Sequence, residues 1–147
     1  MVALDIPNLL YRYADYIDAG QFDDAASMFR YGRLIVGKRV IDRQEDMVAF
    51  WRQVIRLYDD GTPRTRHLIS NPQIHLSEGG ETATCRSQWT VLQAVPGFPL
   101  QVIATGRYED RLQLRDSTWQ FEERRYLPID LEGDLSFHLM QDPRRTT

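Results

Sequence analysis

Residues 65–130 read TRHLISNPQIHLSEGGETATCRSQWTVLQAVPGFPLQVIATGRYEDRLQLRDSTWQFEERRYLPID, and this stretch decides the fold. It divides into four long runs rich in β-branched and aromatic residues: 65–78, 81–94, 100–115 and 118–130. Turn chemistry separates them, with EGGE at 78–81, VPGFP at 95–99 and RDS at 115–117. Four strands in succession with short turns predict an antiparallel meander. The runs exceed the average strand of about 5–6 residues, so the sheet is expected to twist and curve strongly. Pro72 interrupts the first run and predicts a bulge or bend there, because proline cannot donate to a strand ladder.

A curved sheet needs filler on its concave side, and the first third of the chain supplies it. Ile6, Leu9, Leu10, Tyr13 and Ile17 fall at helical spacing, with Asp5 as the predicted cap, Pro7 in the first turn and Gly20 as the stop. A short helix is predicted over 23–29. Short strands follow in RLIVG (33–37) and KRVID (38–42). A third helix is predicted with Asp42 and Glu45 as a capping box and Met47, Phe50, Trp51, Val54, Ile55 and Tyr58 as its buried stripe. Helices first and strands afterwards define an α+β domain rather than an alternating α/β one. Nothing resembles a linker or an internal repeat, so one domain over 1–147 is expected, ending in a mobile tail, DPRRTT (142–147).

Composition narrows function by exclusion. The chain has 147 residues, 42% of them hydrophobic and 27% charged, with a net charge of −3. An acidic chain with scattered basic residues is a poor match to nucleic acid, whose phosphates need a basic face. No run approaches the ~20 apolar residues of a membrane span, and the first residues lack the pattern of a signal peptide. A single cysteine, Cys85, rules out an intrachain disulfide and fits a cytoplasmic setting. His67, His75 and His138 lie far apart without a carboxylate cluster, so no metal site is expected. Isolated GxG elements imply no nucleotide cofactor.

The motifs LLYRYADYIDAGQFDDAASMF, TRHLISNPQI with ETATCRSQWTV, and ATGRYEDRLQLRDSTWQFEERR together resemble the SnoaL-like (polyketide cyclase) branch of the nuclear transport factor 2-like superfamily. Within the branch the resemblance is strongest to scytalone dehydratase, hexachlorocyclohexane dehydrochlorinase and bile acid 7α-dehydratase. It implies a cone-shaped α+β barrel, with three N-terminal helices packed into a strongly curved antiparallel sheet around a small-molecule pocket. It also implies a general-base dyad of Asp18 and His67, with Tyr13 at a position where relatives place a pocket lysine or tyrosine. Patterning alone favours the plainer reading at both dyad positions: Asp18 as a solvated residue in a helix–turn connection, and His67 as a structural or solvent-exposed strand histidine.

Other positions depart from scytalone dehydratase, where Ile17, Val36, Ser87, Gly106 and Tyr108 stand in place of its polar pocket residues. These substitutions predict a re-lined, more apolar pocket. Trp89 is expected on the same wall as Ser87, with Cys85, Val102, Ala104, Tyr108 and Phe121 on the concave face. Arg124 or Arg125 is expected on a solvated sheet face or reaching the pocket. His138 is expected to pack at the barrel mouth or on a neighbouring subunit, and His75 to be structural.

Three functions fit. The first is a cofactor-independent lyase or isomerase (dehydratase-like) for a small cyclic, aromatic or otherwise apolar molecule. The second is a non-catalytic subunit like the β subunit of an aromatic-ring dioxygenase. The third is a small-ligand binding protein. The outer sheet face at Thr84, Gln88, Thr90 and Leu92 carries little charge, and relatives associate through such faces, so a homodimer or homotrimer is expected.

Overall fold

The computed structural model describes residues 2–141; the predicted mobile tail at 142–147 lies outside the described residues. In chain order the elements are α1 (Val2–Asp18), α2 (Phe22–Ser27), β1 (Arg33–Val36), β2 (Arg39–Ile41), α3 (Gln44–Val54), β3 (Thr65–Leu76), β4 (Thr82–Val95), β5 (Phe98–Arg115), β6 (Thr118–Tyr126) and β7 (Leu131–Glu132). The seven strands form one sheet in the order β2-β1-β6-β5-β4-β3, with β7 paired to β5. The helices and strands share a core built from Leu10, Tyr13, Phe22, Phe29, Met47, Trp51, Leu112 and Phe121 among others. The α+β cone with helices in a curved sheet is therefore present.

Two features of that expectation need correction. β1 runs parallel to β6, so the sheet is mixed rather than wholly antiparallel. The sheet is also open: β2 and β3 are its two ends, and among the described residues no hydrogen-bond ladder closes a barrel. The apolar helix faces cover the concave side and complete the cone.

Local chemistry explains the elements. α1 ends in a Schellman turn: the Gln21 N–H donates to the Tyr16 carbonyl at 2.9 Å and the Gly20 N–H to the Ile17 carbonyl at 3.0 Å. Gly20 takes the left-handed φ of 71° this turn requires, and a side chain there would strike the Gly61 carbonyl. The other helix end differs from prediction. α1 begins at Val2, so Asp5 lies in its first turn rather than capping it, and Pro7 is inside the helix. The predicted capping box of α3 is absent as well: Arg43 precedes the helix with no side-chain cap, and Arg43 pairs with Glu45 instead. Ile55 and Tyr58 lie beyond the end of α3, where Ile55 bridges Leu139 and the Tyr58 hydroxyl donates to the Phe137 carbonyl.

Bulges set the sheet's geometry. The register of β3 on β4 slips between Ser70 and Gln73, at the predicted Pro72, with Asn71 at a φ of 51°. Two further irregularities decide which side chains point inward. On β5, Val91 pairs with Ala104 and Leu92 with Val102, leaving Ile103 as an extra residue. On β6, Arg111 pairs with Glu123 and Leu112 with Phe121, leaving Glu122 extra. Each extra residue inverts the in–out alternation of its strand.

Candidate functional site

The site begins where the end of α1 meets the start of β3. Thr65, His67 and Ile69 alternate toward the interior while Arg66 and Leu68 face solvent. Asp18, the last residue of α1, gathers three donors from this strand. Thr65 Oγ1 donates to Oδ1 at 2.8 Å, the His67 backbone N–H donates to Oδ2 at 2.7 Å, and His67 Nδ1 lies 2.5 Å from Oδ1. Only 11% of the His67 side chain and 9% of the Asp18 side chain are exposed. Burial works against ionisation of Asp18, but the hydrogen bonds and charge of His67, with Thr65, prevail and hold its carboxyl below the usual range. These bonds also offset the unfavourable helix-end dipole, an effect of about 0.3–1 kcal/mol. An ionised Asp18 places the proton of the neutral ring on Nδ1 and leaves Nε2 as a free acceptor.

His67 opens onto a cavity of about 280 Å³ whose wall is mostly apolar. Tyr13, Ile17, Val36, Trp89, Ala104 and Tyr108, all named from the sequence, line it with His67, together with Val91. Asp18 is not on the wall: it stands behind the imidazole and orients it. Ser87 and Gly106 do not line the cavity either. Gly106 pairs with Trp89 across β4 and β5, and the Trp89 indole lies over it so closely that a Cβ there would sit 2.3 Å from the ring. Trp89 thus takes the wall position that Gly106 would hold. Ser87 is 2% exposed and its Oγ has no hydrogen-bond partner among the described residues; it faces a second, more polar hollow with Arg86, Arg107 and Glu109.

Further predicted wall residues also moved. Val102 is 52% exposed, because the bulge at Ile103 turns it outward. Phe121 and Cys85 are buried in the core beneath the cavity, and burial pushes the Cys85 thiol up to about 12, which leaves it inert as a nucleophile. His75 is exposed on the outer face.

Arg124 proves to be neither a solvated nor a ligand-binding residue. Its guanidinium is wholly buried and forked onto Asp110, with Nε and Nη2 each 2.8 Å from a carboxylate oxygen. It lies over the rings of Tyr108, Tyr13 and Phe121, at 3.8, 4.4 and 4.6 Å from their centroids. Nothing in the strand alternation marked this pair; the bulge at Glu122 put Arg124 inside.

The same bulge brings in Tyr126, which sequence reasoning missed. Its hydroxyl accepts from Trp51 Nε1 at 3.1 Å and is hydrogen-bonded to the Tyr13 hydroxyl. Burial raises Tyr13, Tyr108 and Tyr126 above the usual phenol range, so all three remain protonated. The Trp51 N–H and the bond between the two hydroxyls use two of the three donors, which leaves one phenolic O–H for an oxygen in the cavity. Tyr108 and Tyr126 are cross-strand partners, a signal recoverable only once the register is known.

His138, expected at the barrel mouth or on a neighbouring subunit, lines the cavity with Leu135 and Leu139, another wall position that sequence reasoning missed. Among the described residues, no group of three or more His, Cys, Asp or Glu is placed to hold a metal ion, and no helix is long and apolar enough to cross a membrane.

The helix-filled open sheet, with a mostly apolar cavity bearing few polar groups, defines the class: an α+β cone shaped to enclose a small molecule. Residues 3–125 match the SnoaL-like domain model, and the chain belongs to that family. Its fold recurs in an aspartate-to-asparagine variant of a function unknown protein from Mycobacterium tuberculosis, 27% identical, with a TM-score of 0.69 over 87% of this chain and 71% of that one. It recurs also in the β subunit of a candidate aromatic-ring-hydroxylating dioxygenase (17% identity, TM-score 0.68, 94% and 98% coverage) and in a candidate scytalone dehydratase (15%, 0.66, 91% and 93%), both from Novosphingobium aromaticivorans. A comparison with curated proteins returns no match.

Proposed function

We propose that the protein is a cofactor-independent lyase or isomerase acting on a small, largely apolar cyclic molecule, with His67 as general base. The observation that carries this reading is the 2.5 Å contact between Asp18 and His67 at the wall of an apolar cavity. Asp18 fixes the tautomer and stabilises the imidazolium that forms when Nε2 takes a proton. The spare phenolic donor of the Tyr13–Tyr126 pair suits an oxygen that gains negative charge as that proton leaves. Removal of a carbon-bound proton followed by loss of a leaving group, or by reprotonation elsewhere, is the chemistry such a pocket supports. The likeness to a candidate scytalone dehydratase agrees with it.

A non-catalytic role like that of a dioxygenase β subunit has the fold likeness in its favour and leaves the oriented imidazole without a task.

The test starts from a cavity ligand identified by native mass spectrometry of the purified protein, followed by turnover assays on that compound and its relatives. His67→Ala is expected to lower turnover by about 10²–10⁴-fold, and Asp18→Asn by a smaller factor through loss of orientation. Unchanged turnover in both variants would sink the dyad mechanism.

A further inference from the structure

We infer that His138, carried on the C-terminal segment, is a second polar contact of the ligand and donates to an oxygen atom of it that lies beside His67. This deepens the reading above, on which it rests, by naming a substrate class: an apolar ring system bearing one hydroxyl or carbonyl oxygen next to the carbon that loses its proton.

Four observations lead there. The His67 and His138 rings both line the cavity, with centroids 6.5 Å apart and planes at 67°. Rings so spaced cannot bond each other, since hydrogen bonds need heavy atoms within about 3.2 Å, yet one oxygen between them can bond both. His138 is 7% exposed, and its ring has no hydrogen-bond partner among the described residues. Its Nδ1 is sealed within the fold, so Nε2 is the nitrogen a ligand can reach, and a ring on the cavity wall without a protein partner calls for one. Finally, the ring is held in place by its backbone. The Arg56 N–H donates to the His138 carbonyl at 2.8 Å, Gln93 Nε2 to the Phe137 carbonyl at 3.0 Å, and the Met140 N–H to the Val54 carbonyl at 2.9 Å. Anchors on both sides of residue 138 make its placement part of the cavity.

The roles of the two rings are complementary. With Nδ1–H engaged by Asp18, His67 presents an acceptor at Nε2. His138 stays neutral because burial, with His67 nearby, holds its pKa down at about 4. A neutral ring can present an N–H to the same oxygen. A hydroxyl would donate to His67 and accept from His138; a carbonyl would accept from His138 while His67 faces the adjacent C–H.

The experiment compares two probes of similar shape, 2-naphthol and naphthalene, titrated by fluorescence against the wild type, His138→Leu, His138→Gln and His67→Leu. The wild type is expected to favour 2-naphthol by roughly tenfold. His138→Leu should abolish most of that preference, read as the ratio of the two affinities within each variant, and His138→Gln, which restores a donor, should recover part of it. If the preference is lost in His67→Leu but intact in His138→Leu, this inference fails while the base assignment stands. If neither probe binds the wild type, the apolar-ligand reading and this inference fall together.

Discussion

Gly106 and Trp89 show how much of the cavity wall depends on one missing side chain. The indole occupies the space a Cβ would need, with its Cζ2 and Cε2 atoms 2.3 and 2.6 Å from that position. Gly106→Ala must therefore displace either the ring or the β5 backbone. Such overpacking costs about 1–3 kcal/mol, and the displaced ring would alter the wall beside His67. Urea unfolding of the variant is expected to give a lower midpoint with an unchanged m-value. An unaltered midpoint would mean that Trp89 relaxes freely and is no fixed part of the wall. Sequence alone read Gly106 as a pocket position vacated by a polar residue; the cross-strand partner that fills it becomes visible only with register.

At the scale of elements, the long strands, the α1 stop at Gly20 and the Pro72 bulge were legible because each has a local cause: alternation, left-handed turn chemistry, a missing N–H. The Asp18–His67 contact was legible only through family resemblance, since neither residue's surroundings betray a partner 49 positions away. The bulges at Ile103 and Glu122 were not legible, having no proline or glycine to mark them, and every error in assigning inward residues on β5 and β6 follows from them. Val102 went out; Arg124 and Tyr126 came in. The Arg124–Asp110 pair created in this way is a buried charge pair, and breaking it from one side leaves an uncompensated ion. Arg124→Met is expected to destabilise by about 3–5 kcal/mol, whereas Arg124→Met with Asp110→Leu should recover most of the loss. A double-mutant cycle in urea checks this; equal loss in the single and double variants would show that packing, not charge, is what the pair supplies.

The whole molecule should lose stability as acid is added, beginning well above the carboxylate range. Unfolded, His138 takes up a proton near pH 6.5; folded, it resists to about pH 4. Between those values the unfolded chain binds more protons, so stability is full above pH 6.5 and declines as pH falls toward 4, by on the order of 3 kcal/mol. Asp18, whose carboxyl titrates below its ordinary value, extends the loss: its contribution is complete above the usual carboxylate pKa and disappears as pH drops through the folded one. Unfolding midpoints measured at pH 7, 5.5 and 4.5 should fall more steeply in the wild type than in His138→Phe. Parallel pH profiles would show that His138 titrates normally in the fold.

The bulge at Asn71–Pro72 bears on how the protein behaves when crowded. β3 is an end of the open sheet and is 12 residues long, the kind of edge on which foreign strands polymerise. Pro72 has no N–H to offer, and the left-handed Asn71 turns the backbone out of line, so an incoming strand cannot run in register along the full edge. The residue that bends the pocket wall thereby also shields the sheet's longest exposed border against aggregation.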